Sequence, residues 1–234
     1  TDSERAFCWL LQQLAKSHVG VPSVDELTLT LRDGQGGLVG AATVCAALDV
    51  ALVHISSDAV FDGDHAPYSE HDEPAPVHAY GRAKHAAETA VVTAVPAATV
   101  VRTSLILAAD GTDQTSAWAI ERLQAGEPVT FFDDEFRMPI FVDDLAERIW
   151  EVASRDAAER AGVWHLVGPE RLSRAQVGDV LCGRFGLDPS LIETASAATM
   201  GEPRPRDLSL RSDRADSLTT QARSITTVSR HGTS

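Results

Sequence analysis

At 234 residues the chain can bury one large α/β core or two small ones, and its 44% hydrophobic and 23% charged content is that of a folded globular protein. A formal net charge of −14 argues against nonspecific binding to nucleic acid or anionic membrane, whose phosphates would be repelled. It leaves room for an anionic small molecule held by a local cluster of donors.

Cys8, Cys45 and Cys182 are scattered, with no C-x-x-C pair. Neither a zinc site nor a disulfide framework is expected, and a reducing cytoplasm fits. No apolar run approaches the ~20 residues a membrane helix needs. The chain opens on Thr1 and closes on the polar run TTQARSITTVSRHGTS, as a fragment or trimmed chain would.

Thr1-Asp2-Ser3-Glu4 matches a capping box and predicts a helix that ends near Gly20. Leu27, Leu29 and Leu31 then alternate with Thr28 and Thr30, the period of a strand. Gly34, Gly37 and Gly40 follow at the spacing G-x-x-G-x-x-G, before an Ala-rich helix predicted over 38–48. Such a loop can lie under a pyrophosphate.

The apolar, β-branched run at 51–56 predicts a buried parallel strand. A turn-rich segment over 62–76 separates it from a helix predicted over 79–95. A second buried strand is expected at 97–103, a helix at 116–124 and a short strand at 129–132. The period of Leu145, Ile149 and Val152 predicts an amphipathic helix over 143–154. A third buried strand at 163–167 precedes a helix capped by Ser173 and stopped by Gly186. Strands alternating with helices argue for an α/β fold with a parallel sheet covered on both faces.

Tyr80-Gly81-Arg82-Ala83-Lys84 has the spacing that carries chemistry. Residues four apart on a helix are neighbours, with Cβ atoms ~5–6 Å apart. Lowering a phenol pKa from ~10 by two units takes ~2.7 kcal/mol of preference for the phenolate. An ammonium ~4 Å away supplies ~4 kcal/mol at an effective dielectric of 20. Lys84 can therefore make Tyr80 a proton donor and acceptor near neutral pH.

By itself the spacing also describes a half-buried tyrosine beside a solvated lysine. Ser56-Ser57-Asp58 adds hydroxyls at the C-terminal end of a buried strand, where open parallel sheets place ligands. It also reads as a plain strand-end turn.

The run VHISSDAVFDGDHAPYSEHDEPAPVHAYGRAKHAAE resembles the extended short-chain dehydrogenases, above all the dTDP-4-dehydrorhamnose reductases and their sugar-nucleotide-binding relatives. The likeness continues in VVRTSLIL, RMPIFVDDLAE, GVWHLVGPERLSRAQVGDVL and EPRPRDLSL, covering roughly residues 34–218. It implies a Rossmann-like parallel sheet with a small C-terminal substrate-binding part.

On this resemblance Tyr80 matches the acid/base tyrosine, Lys84 the lysine that holds the nicotinamide ribose, and Ser57 the hydroxyl that binds the substrate carbonyl. Ser56, Thr103 and Ser104 fall beside the nicotinamide end of NADP or NAD. Asp58, Phe61 and Arg137 sit in blocks that border the substrate. The implied reaction is hydride transfer to a 4-keto carbon of a nucleotide-activated deoxysugar, protonated by Tyr80. A nucleotide sugar is the implied partner, and homodimer formation stays open.

Two departures stand out. Ala59 occupies a position where the family often has an aromatic residue, which weakens the assignment to rhamnose chemistry. Gly40 also lies only 17 residues before Ser57, too close for the βαβ units that normally separate a cofactor loop from that strand.

Residues 1–33 are therefore expected to be an atypical N-terminal segment and 34–168 an N-terminally incomplete Rossmann-like domain. Within that domain 110–140 contributes to the substrate side. Residues 169–218 form the C-terminal part, and 219–234 a polar tail. Gly37 then matches the glycine of a helix start, with Gly34 where the family carries a catalytic Asn. The competing reading is a relocated phosphate loop. The alternatives in function are a noncatalytic homologue that binds a sugar nucleotide or a protein, or a sugar-nucleotide epimerase or dehydratase.

Three further groups have plainer readings. His65, Glu70, His71, Asp72 and Glu73 read as a solvated loop and not a metal site. His165 reads as a core histidine. Arg204, Arg206 and Arg211 read as either a phosphate contact or a solvated surface.

Overall fold

The computed structural model describes residues 51–201 and 203–227. The predicted N-terminal helix, the strand at 27–31 and the loop of Gly34, Gly37 and Gly40 lie outside these residues. The principal elements are β1 (Val53–Ser57), α1 (Ala79–Ala94), β2 (Thr99–Thr103), α2 (Gln114–Gln124), β3 (Val129–Phe132), α3 (Val142–Ala153), β4 (Gly162–His165), α4 (Arg174–Phe185) and β5 (Ile192–Ala195). Each expected strand and helix from residue 51 onward is present, with its ends within two residues of the expectation.

β1, β2 and β4 form a parallel sheet in that order. Parallel neighbours need a crossover of a dozen residues or more, and α1 supplies it between β1 and β2. Side chains alternate across a strand, so Val101 and Arg102 of β2 face opposite sides.

On the Val101 side lies α3, whose Val142, Leu145, Ile149 and Val152 pack with Val101, Trp164, Val53 and Ile55. Burying one such aliphatic side chain contributes roughly 1.5–3 kcal/mol. On the Arg102 side lies α1, tied down by its Glu88. The sheet is thus the middle of three layers.

A second core joins α2, β3, α4 and β5 through Ala119, Leu123, Phe131, Leu181 and Ile192. β3 and β5 pair in parallel there. α4 begins with a capping box between Ser173 and Gln176 and ends on Gly186 at φ 67°, left-handed backbone that glycine adopts without strain.

The last described residues are gripped by three carboxylates. Glu151 accepts from the Thr219 and Thr220 amides, Asp144 from Arg223, and Glu170 from the Ile225 and Thr226 amides. Ile225 sits 2% exposed against Leu107, Phe141 and Val177, although the segment reads from its composition as a polar tail.

Candidate functional site

β1 and β2 end level with one another, with Ser57 in register with Thr103. Their carboxyl ends form the edge at which open α/β sheets take ligands. Ser57 closes β1 by capping a one-turn 3-10 helix (Asp58–Val60): its Oγ accepts from the Ala59 amide at 3.2 Å and donates to Asp58 Oδ1 at 3.1 Å.

α1 is held against this turn, β1 and β2 by three contacts. Gly81 lies against the Ala59 carbonyl so closely that a β-carbon would sit 2.0 Å from the oxygen. Lys84 Nζ donates to the Ile55 carbonyl of β1 at 3.1 Å. Glu88 receives Arg102 of β2 through both of its oxygens, at 3.0 and 2.8 Å. The helix starts on His78, whose Nδ1 accepts from the Gly81 amide at 3.0 Å.

Tyr80, next to Gly81, is 46% exposed, and the Lys84 ammonium lies 5.9 Å from its ring centroid. Lys84 is thus tied to β1 two residues before Ser57, and Tyr80 flanks the glycine that abuts the turn capped by Ser57.

Asp58 is 4% exposed and is held by Ser104, whose Oγ donates at 2.6 Å, and by Arg137 at 3.8 Å. Burial pushes its carboxyl above the ordinary range, against the pull of Arg137, Ser104 and Ser57. Ser104 Oγ also accepts from the Met138 amide, so it bridges the β2 end to the Arg137 segment. Ser56 Oγ and Thr103 Oγ1 are buried with no hydrogen-bond partner among the described residues.

Phe61 requires a correction. It is 0% exposed, stacked on Tyr68 at 4.2 Å and set edge-on to His165 at 5.9 Å, so it packs beneath the site and has no surface to offer a ligand. The apolar side chain in the run DAVFDG is drawn inward because its turn folds back over Leu208 and Leu210.

Arg137 belongs to a cluster that spacing alone could not assemble. Arg137, Arg174 and Arg204 converge on buried Glu135 at 3.2, 4.0 and 2.8 Å. With Asp58, that is three guanidinium groups against two carboxylates.

Arg211 pairs instead with Asp213, and its carbonyl meets His165 Nδ1 at 3.0 Å. His165 is buried in the core. Among the loop acids, Asp72 accepts from the Ser69 amide and Glu70 from the Asp213 amide. Glu88 and Arg102 went unremarked in the sequence. Their signal was there: a charge inside an apolar strand, and a carboxylate four residues beyond Lys84.

The chain is similar to several known proteins. The dTDP-4-dehydrorhamnose reductase of Mycobacterium tuberculosis is 37% identical over 171 residues, which are 70% of this chain and 55% of that protein. A probable low-salt glycan biosynthesis reductase of Haloferax volcanii is 32% identical over 172 residues, 70% of this chain and 56% of its own. The chain thus spans about half the length of these curated relatives.

The crystal structure of the Bacillus anthracis dTDP-4-dehydrorhamnose reductase in complex with NADP shares the fold. Its TM-score is 0.72 at 23% identity, over 81% of this chain and 67% of that one. The family match runs through the Ser57 strand, the Tyr80 helix, the Arg137 segment and the gripped C-terminal residues alike. Spanning residues 36–227, it shows that this chain belongs to the RmlD substrate binding domain family.

Proposed function

We propose that the protein is an NAD(P)-dependent reductase of a nucleotide-activated 4-keto-deoxysugar, working in the cytoplasm. The observation that carries this reading is the placement of Lys84. Its ammonium is fixed on the Ile55 carbonyl and lies 5.9 Å from the Tyr80 ring, at the ligand-binding end of the sheet.

A cation held there favours the phenolate, so Tyr80 can release and regain a proton near neutral pH. In this reading Tyr80 protonates the substrate oxygen as the keto carbon is reduced, and Ser57 turns its single hydroxyl proton, held by Asp58 in this structure, to that oxygen. Ser57 is steered by Asp58, which Ser104 and Arg137 hold in turn.

A nicotinamide cofactor, when bound, supplies the hydride. The unpartnered hydroxyls of Ser56 and Thr103 at the two strand ends fit a polar ligand there, and Lys84 would hold its ribose. Ser104 is already committed to Asp58 and Met138, so its part is to hold the site's shape. On the substrate side, the surplus of guanidinium groups around Arg137 suits the phosphates of a nucleotide sugar.

The test is NADPH oxidation by the full chain with a dTDP-4-keto-6-deoxysugar. Tyr80→Phe should lower the rate by about 10²–10⁴-fold, the range for a lost acid/base group. A chain with no turnover and no quenching of its tryptophan fluorescence by NADPH would overturn the reading. A noncatalytic sugar-nucleotide binder, compatible with the half-length match to relatives, would then take its place.

A further inference from the structure

Tyr80, Lys84 and Glu88 stand at successive four-residue steps and so form one stripe along α1. A carboxylate four residues from a lysine is a natural partner for it, with Cβ atoms about 5–6 Å apart. Such a pair would draw the ammonium down the helix and away from the phenol.

Arg102 intervenes. Its guanidinium engages both Glu88 oxygens in a fork, and the two side chains are 5% and 7% exposed. Arg102 itself is backed by the Phe61 ring at 5.1 Å. Lys84 meanwhile reaches the Ile55 carbonyl and the Tyr80 ring.

We propose that Arg102 is a positioning residue: by occupying both oxygens of Glu88 it keeps the Lys84 ammonium committed to Tyr80. This rests on the reading of Tyr80 and Lys84 as the acid/base pair.

Other titratable groups surround the stripe. His54 projects from β1, Asp58 lies in the turn packed on the helix, and His78 sits beside Tyr80 with ring centroids 6.2 Å apart. His54 is pushed down to about 4, first by burial and then by the Lys84 ammonium. It therefore stays neutral across the range in which a phenol titrates.

Ultraviolet titration of the full chain reads the phenols directly, since it holds two tyrosines, Tyr68 and Tyr80. Burial and the bond to Asp62 push Tyr68 up, and Tyr80→Phe identifies the Tyr80 share of the signal.

Arg102→Gln should raise the Tyr80 midpoint by about one unit, as the freed carboxylate claims Lys84. Pairing it with Glu88→Gln removes the competitor too, and should return the midpoint to within about 0.3 unit of the unmodified chain. A purely structural role predicts no such recovery. Where Arg102→Gln fails to fold by circular dichroism, Arg102→Lys replaces it, because a lysine cannot hold both oxygens.

An unmoved midpoint in the single variant overturns the proposal, as does a double variant shifted as far as the single one. The titration needs neither substrate nor cofactor. A chain that shows these shifts without Tyr80-dependent turnover overturns the proposed function and leaves this inference standing.

Discussion

Gly81 of α1 and Ala59 of the strand-end turn touch backbone to backbone, with room for no side chain between them. Pro76 closes the same gap, its Cβ only 2.9 Å from where a Gly81 β-carbon would lie. The contact brings the helix carrying Tyr80 onto the turn capped by Ser57. The middle residue of Y-G-R-A-K is therefore part of the site's construction.

Gly81→Ala is expected to push α1 outward and destabilise the chain by about 1–3 kcal/mol, the usual cost of overpacking a close contact. Urea denaturation measures the loss. Turnover should fall further than stability alone explains, because Tyr80 moves away from Ser57. A variant with unchanged midpoint and rate would remove the contact from this account.

Asp58 should make the chain less stable as pH rises. Its carboxyl is raised in the folded state, so between the ordinary carboxylate range and its raised value the folded chain binds more protons than the unfolded one. Stability falls with pH wherever that holds. Each unit of elevation is worth about 1.4 kcal/mol. Asp58→Asn should flatten this part of the profile, and thermal melts taken across the acid range would detect it. Identical profiles for the two proteins would contradict the assignment.

Glu151 should act in the opposite sense. Burial alone would raise its carboxyl, but the amides of Thr219 and Thr220 hold it down at about 2. The sign follows from a depressed folded value: its contribution is complete above the unfolded value of 4.5 and is lost as pH falls toward about 2. The group lies near the surface, so solvent screening reduces the effect. Glu151→Gln should weaken protection of residues 219–220 in hydrogen exchange at neutral pH, and change it little near pH 2.

Ile225 anchors the same C-terminal segment. Ile225→Ala is expected to cost about 2–4 kcal/mol, since losing a buried aliphatic side chain leaves a cavity between Val177 of α4 and the side chains of Leu107 and Phe141. Denaturant titration checks the magnitude. A cost below about 0.5 kcal/mol would mean that the segment leaves its groove in solution.

The periodicities from residue 51 onward sufficed to place every principal strand and helix except β5, because their apolar spacing already states which face must be buried. Tyr80, Lys84 and Ser57 were legible for a related reason. Two of them are a helical turn apart, and the third ends a strand, so local geometry determines where each points. What residues 1–50 contribute lies outside the described structure.

Contacts between residues distant in the chain were decided only by the tertiary fold. Phe61 lies near Ser57 in sequence, yet the packing of its turn on Leu208 and Leu210 sends it into the core. Arg102 and Glu88 meet because β2 lies under α1, and Glu135 gathers arginines from segments up to 69 residues away. Ile225 is buried because Asp144 and Glu151 of α3, together with Glu170, capture the backbone around it. Sequence spacing conveys the direction of a side chain within its own element. Which charges and apolar groups face one another across elements depends on how the layers stack, and that was set by the whole core.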